Sequence, residues 1–270
     1  MNKCRIHTEN DEYQIIRSLK LNRVKRKRSH EVFVEGIECI KQAVRSGAEI
    51  TRIIIKDAHG LSGWGKSILE QYKDVRRIEM SRALYDNLAE KTNPSEMFIT
   101  VKIKPNTLDD IRSDNPFLLV FDRPSDYGNL GSIIRSANAF HVDGIYILGH
   151  GIDVYESKVM RASLGSIFFT KIVMMESMEM LEKYIRTQKM KNNIEIVGTD
   201  STGIASIGDC KISRPVMVII GNEAKGMSIK LKALCDRVIR IPMEGNIDSL
   251  NVSCAASIVL WEIYKNKNGK

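Results

Sequence analysis

The sequence predicts an α/β protein in two parts: a small N-terminal α/β sandwich, then a larger domain on a mostly parallel sheet. Three observations carry this. From residue 117 onward, apolar runs recur, broken by glycine-bearing polar turns and followed by helical patterns. Before residue 104, shorter strand and helix patterns alternate. Between them, Lys104-Pro-Asn-Thr-Leu-Asp-Asp-Ile-Arg-Ser-Asp-Asn-Pro116 is polar, holds two prolines and carries little periodic signal. The predicted bounds are residues 1–106, a linker at 107–115, and 116–270.

In chain order, residues 13–28 combine the apolar spacing Ile15, Ile16, Leu19, Val24 with the run Lys25-Arg-Lys-Arg28. This predicts a helix ending in a basic loop. Phe33-Val34, Ile53–Ile55 and Phe98–Ile103 are strand candidates, separated by predicted helices at 36–46, 63–72 and 81–90. In the linker, Leu108 to Arg112 can close a short helical turn.

In the second part, strands are predicted at 117–122, 144–148, 167–173, 194–199, 216–220 and 238–241. Helices are predicted at 130–140, 156–163, 177–190, 228–235 and 249–264. Continuous apolar runs such as Phe117–Phe121 and Val216–Ile220 suit strands of a parallel sheet buried on both faces. On the helix at 130–140, Ile133, Ile134, Ala137 and Phe140 share a stripe. Arg135 lies about 200° from Ile133 at 100° per residue, facing away from that core.

Bulk composition narrows the class. The 270 residues are 43% hydrophobic and 27% charged, ordinary for a globular chain. No apolar run reaches the ~18 residues of a membrane helix, and the N-terminus lacks a signal-peptide core. Five scattered cysteines without CxxC spacing suit a reduced cytoplasmic protein, neither a disulfide framework nor a zinc site. His141 and His150 show no metal-ligand spacing, so no metal is expected. Residues 1–112 hold 22 basic and 16 acidic side chains against 19 and 17 in the remainder. The excess in the first half, with Arg17, Arg23, Lys25, Arg26, Lys27 and Arg28 at its centre, predicts a face for phosphate.

Near the C-terminus, Asp248, Ser249, Asn251 and Ser253 crowd the entry to an apolar helix. A plain N-cap needs one such residue. Two upstream segments also place polar turns at strand ends: Asn129-x-Gly131-x3-Arg135 and Gly221-Asn-Glu223-x2-Gly226. Three such loops suggest one crevice at the carboxyl ends of the strands. In this order, together with Ile241-Pro242 and Ser249-Leu-Asn-Val-Ser253, they resemble the three motifs of the SpoU (TrmH-like) RNA ribose 2′-O-methyltransferases. Phe33-Val-Glu-Gly36 and Ser46-Gly-Ala-Glu-Ile50 are similar to the L30e-like substrate-binding domain often joined to these enzymes.

The resemblance implies a SPOUT-type catalytic domain with a C-terminal trefoil knot, S-adenosylmethionine as cofactor, structured RNA as substrate, and a homodimer packed through the C-terminal helix. Large-subunit (23S) rRNA is the expected target. A tRNA, or an rRNA nucleotide whose methylation gives antibiotic resistance, is the alternative, and a non-catalytic RNA-binding assembly factor the more remote one. The resemblance assigns Asn129, Arg135, Glu223, Ser249 and Asn251 to the catalytic centre. It places cofactor contacts at Gly221, Ile241 and Leu250, with Thr199 and Met243 as weaker candidates. A guanidinium normally stays charged, so Arg135 suits orientation and charge stabilisation better than proton removal. At Glu223, a carboxylate could hold Arg135 or bind polar nucleotide edges. The motif Gly-x-Gly-x-x-Gly does not open a helix after the first strand, which disfavours a nicotinamide cofactor.

Overall fold

The computed structural model describes residues 3–56, 60–90, 92–246 and 248–267. It divides into two compact units, Met1–Lys104 with Asp153–Phe168, and Pro105–Ile152 with Phe169–Lys270.

The first unit runs β1 (Lys3–Ile6), α1 (Asp11–Leu21), α2 (Arg23–Ser29), β2 (Glu31–Glu35), α3 (Ile37–Arg45), β3 (Ile50–Lys56), α4 (Gly63–Gln71), β4 (Arg76–Met80), α5 (Arg82–Leu88) and β5 (Met97–Lys102). Its sheet has the order β1-β4-β3-β5-β2. The strands β1, β4 and β3 are parallel, whereas β5 runs antiparallel to both β3 and β2. Tyr13, Ile16 and Leu19, three residues apart on α1, cover Phe33, Ile54, Ile78 and Phe98 of the sheet.

Two of these strands escape the sequence reading. Both β1 and β4 are short and carry charges where a strand signal needs apolar residues. Their charges converge on Glu79, whose side chain is 1% exposed and takes ion pairs from Lys3, Arg5 and Arg77. Burial pushes the Glu79 pKa up, but hydrogen bonds from Lys3 and Arg5 outweigh that and hold it below the usual carboxylate value.

The expected basic loop is a helix. Asn22 closes α1, and its side chain then accepts the Lys25 N–H to open α2. Lysine and arginine are good helix formers, so the run Lys25–Arg28 continues helically once capped. Arg26, expected on a phosphate-binding face, is instead buried. It donates to the Leu19 and Lys20 carbonyls and pairs with Asp153 and Glu156, both at 2.8 Å. Arg17, Lys25, Lys27 and Arg28 are exposed, and Arg23 is half-buried.

The second unit contains β6 (Phe117–Asp122), α6 (Tyr127–Ala139) and β7 (Gly144–Leu148), while α7 (Ser157–Ala162) packs with the first unit. Then follow β8 (Ile172–Met175), α8 (Met178–Asn192), β9 (Glu195–Thr199), β10 (Ala205–Ser206), β11 (Val216–Ile220), α9 (Ile229–Leu234), β12 (Arg237–Arg240) and α10 (Val252–Lys267). The sheet order is β10-β12-β9-β11-β6-β7-β8, every pairing parallel. From β6 the chain builds outward through β7 and β8, then returns to the other side of β6. That reversal places a crevice beyond the carboxyl ends of β6 and β11.

Three expectations shift here. The strand expected at 167–173 starts at Ile172, after a 3-10 turn at Ser166–Phe168. The segment Asp153–Phe168, expected within the 116–270 domain, groups with the first unit. The stretch 107–115 is no loose linker: Leu108 and Ile111 pack against the second unit's core, and Thr107 with Asp110 forms a capping box.

Arg26→Ala strands two carboxylates and two carbonyls, and should lower unfolding free energy by about 2–4 kcal/mol. Lys27→Ala, exposed on the same helix, should change it by less than ~0.5 kcal/mol. Equal urea midpoints for the two variants would show that the Arg26 pairs contribute nothing.

Candidate active site

The crevice holds a cavity of about 380 Å³, within the range of small-ligand pockets. Its walls come from four strand or helix ends: Thr199 at the end of β9, Gly221–Gly226 after β11, Ile239–Ile241 at β12, and Ser249, Leu250, Val252 and Ala255 entering α10. Thr199, Gly221, Ile241, Met243 and Leu250, the five cofactor candidates, all line it.

The loop after β11 is fixed by its own backbone. Asn222 and Gly226 exchange N–H···O bonds at 3.1 and 2.9 Å, and Gly226 has φ of +62°. Asn222 Oδ1 accepts from the N–H groups of Ala224 and Lys225. A Cβ at Gly221 would lie 2.4 Å from backbone atoms of Gly226 and Met227, so only glycine permits this closure.

Glu223 does not hold Arg135. Its carboxylate accepts the N–H groups of Ser125 and Asp126 and the Ser125 hydroxyl, at 2.8–3.2 Å. Asn222 Nδ2 adds a 2.7 Å bond to the Arg123 carbonyl. Thus the turn after β11 grips the turn after β6. Asp126 in turn caps α6, accepting the Asn129 N–H at 2.7 Å.

The third segment joins through a pair of amides. Asn251 Nδ2 donates to Asn129 Oδ1 at 2.9 Å, while Asn251 Oδ1 accepts from the Ser253 N–H and hydroxyl. Further along, Ser136 of α6 and Ser257 of α10 share a hydrogen bond at 2.7 Å.

Arg135 is exposed on α6, with Ile133, Ile134 and Ala137 buried on the other side, as its helical phase requires. Phe140, expected on the buried stripe, is half-buried and meets Trp261 and Tyr264 of α10 at 5.7 and 5.8 Å. The sequence reading missed Ser125, Asp126, Asn222, Asp200 and Arg240. Asp126 was findable, since an Asp three residues before Asn129 at a helix start is a capping pattern. Asp200 lines the cavity and pairs with Lys232 at 2.7 Å. Burial raises the Asp200 pKa, but hydrogen bonds from Lys232 and Thr202 pull it below the ordinary value. Among the described residues, no group of three His, Cys, Asp or Glu side chains is placed to hold a metal.

Comparison with known proteins sets this geometry in context. The profile of the SpoU rRNA Methylase family matches residues 116–261, and that of the SpoU L30e-like domain matches 10–99. A 23S rRNA (uridine(2479)-2′-O)-methyltransferase from Streptomyces viridochromogenes is 34% identical over 97% of this chain and 92% of its own length. The crystal structure of the SpoU methyltransferase AviRb from Streptomyces viridochromogenes in complex with AdoMet superposes with a TM-score of 0.89. That match is 33% identical and covers 96% of this chain and 99% of the other. An AdoMet-bound rRNA methyltransferase from Sinorhizobium meliloti, 24% identical, shares the fold with a TM-score of 0.84, over 99% of each chain.

Proposed function

The chain belongs to the SpoU rRNA Methylase family, and we propose that it methylates a ribose 2′-hydroxyl of large-subunit rRNA. The observation that carries this reading is the joining of three loops beside one cavity, two of which line it: Glu223 bonds Ser125 and Asp126, and Asn251 bonds Asn129. S-adenosylmethionine supplies an already activated methyl on its sulfonium. The cavity suits it, with an apolar wall from Ile220, Leu250 and Val259 beside the 221–226 turn. Gly221, Ile241 and Leu250, with Thr199 and Met243, are assigned to that contact.

The 2′-hydroxyl is a poor nucleophile, so the protein's task is in-line placement and handling of one proton. Arg135 stands one helical turn after Gly131 and two after Gly128. Arg135 and Gly128 are exposed on that helix, which leaves the guanidinium open to a phosphodiester approaching α6. In this reading Arg135 orients the target phosphate and offsets charge developing on the ribose oxygen. Asn129, Asn251 and Ser249 position the nucleotide, and Glu223 holds the turn that leads into Asn129.

Arg17, Lys25, Lys27 and Arg28 remain the assigned phosphate contacts of the first unit, without Arg26. A homodimer through α10 is part of the proposal, supported by Ile258 and Trp261, 39% and 48% exposed on that helix. Sedimentation of a fully active monomer at micromolar concentration would remove it. No helix among the described residues is long and apolar enough to cross a membrane, and a cytoplasmic setting accords with the free cysteines.

The activity is tested by incubating rRNA and tRNA with labelled S-adenosylmethionine and mapping the alkali-resistant 2′-O-methyl position. Label at one large-subunit rRNA ribose is expected; label only in tRNA, or on a base, overturns the target or the chemistry. Arg135→Ala should keep cofactor affinity and lower the single-turnover rate by about 10²–10³. A near wild-type rate would take Arg135 out of the reaction.

A further inference from the structure

The first unit holds a second cavity, of about 370 Å³, to which the methyl-transfer site contributes nothing. Glu35 and Ile37 line it from the junction of β2 and α3, Asn93 from the loop before β5, and Arg161 and Leu164 from the α7 segment. It is therefore assembled from stretches more than a hundred residues apart.

Its polar side is a built network. The Glu35 carboxylate is buried, yet among the described residues it accepts only the Glu90 N–H, at 3.1 and 3.2 Å, with Lys20 Nζ 4.0 Å away. Each carboxylate oxygen has lone pairs to spare. Arg161 donates one guanidinium nitrogen to Glu90 at 2.6 Å. Its remaining donors have no partner among the described residues.

Its apolar side is held under strain. Leu164 has φ of +49°, a left-handed conformation that a branched side chain adopts at a cost, and it is 38% exposed. The next residue, Gly165, has φ of +79°, and a Cβ there would lie 2.8–3.0 Å from Gln42 and Cys39 of α3. The turn is thus pressed against α3, which fixes Leu164 at the cavity beside Ile37, itself 39% exposed. Two exposed aliphatic side chains beside a carboxylate and a guanidinium match a flat ring with one polar edge. Single-stranded RNA is read this way, by apolar contact to the faces of unstacked bases and hydrogen bonds to their edges.

Building on the RNA-directed reading above, we propose that this cavity takes one unpaired guanine of the substrate RNA. Guanine offers the adjacent N1–H and N2–H donors that Glu35 can accept, and the O6 acceptor that Arg161 can reach. Adenine presents an unprotonated N1 toward the carboxylate and is disfavoured.

The test uses the full chain and two single-stranded RNAs, UUGUU and UUAUU, with binding read by fluorescence anisotropy. The wild-type protein should prefer UUGUU by about tenfold, the scale of one well-made base-edge pair. Leu164→Asn keeps the backbone, because Asn tolerates left-handed φ, and removes the apolar wall. It should weaken UUGUU binding about tenfold while melting temperature and S-adenosylmethionine affinity stay unchanged. Glu35→Gln, which turns one acceptor into a donor, should abolish the preference for UUGUU. Equal wild-type binding of the two RNAs, or unchanged binding by Leu164→Asn, overturns the proposal. Methyl transfer by the wild-type protein to total rRNA, run in parallel, reports on the proposed activity alone. The two readings therefore fail separately.

Discussion

The carboxylate of Glu223 is the constraint on which the site depends. Taking two backbone N–H groups and a hydroxyl from Ser125 and Asp126, it ties together turns that are almost a hundred residues apart in the chain. A carboxylate accepting several N–H bonds is a strong, directional anchor. The tie holds only because β6 and β11 are neighbours in the sheet, so both turns leave the same edge. From there the order propagates: Asp126 caps α6, α6 presents Asn129 and Arg135, and Asn129 receives Asn251 from the entry to α10. A side chain expected to hold Arg135 or bind a nucleotide edge thus ties two loops of the chain together instead.

Charge in the first unit shows the opposite lesson. A basic excess along the sequence does not translate directly into a basic surface. Arg26 is consumed by two carboxylates, and Lys3, Arg5 and Arg77 converge on Glu79. Buried pairs of this kind fix how segments pack more than they add stability. Of the six basic side chains expected on one face, Arg17, Lys25, Lys27 and Arg28 are exposed, a narrower set than the sequence suggests.

Most of the second unit was legible because parallel strands buried on both faces leave continuous apolar runs. The strand bounds Phe117–Asp122, Gly144–Leu148 and Val216–Ile220 need no tertiary information. The phase of Arg135 likewise follows from helical geometry alone. In contrast, β1 and β4 carry Lys and Arg where a strand pattern needs apolar residues, and only the fold reveals that Glu79 gathers them. The helix at Arg23–Ser29 was hidden because a charge run looks like a loop until Asn22 is recognised as a cap for two helices. At the candidate site, the three motifs were readable in the sequence, yet the hydrogen-bond partners of their residues were not. Nothing local to Glu223 points to Ser125, and nothing local to Asn129 points to Asn251.

That last pair offers the sharpest check, since it joins the first and third motifs through one hydrogen bond. Single-turnover methyl transfer to rRNA can be measured for Asn129→Ala, Asn251→Ala and the double variant, with cofactor saturating. If the two amides act as one positioning unit, the double variant loses less than the sum of the single losses. The coupling should be about 1 kcal/mol, the scale of a net hydrogen bond. Strictly additive losses, or single variants at wild-type rate, would contradict the view that the three loops act together.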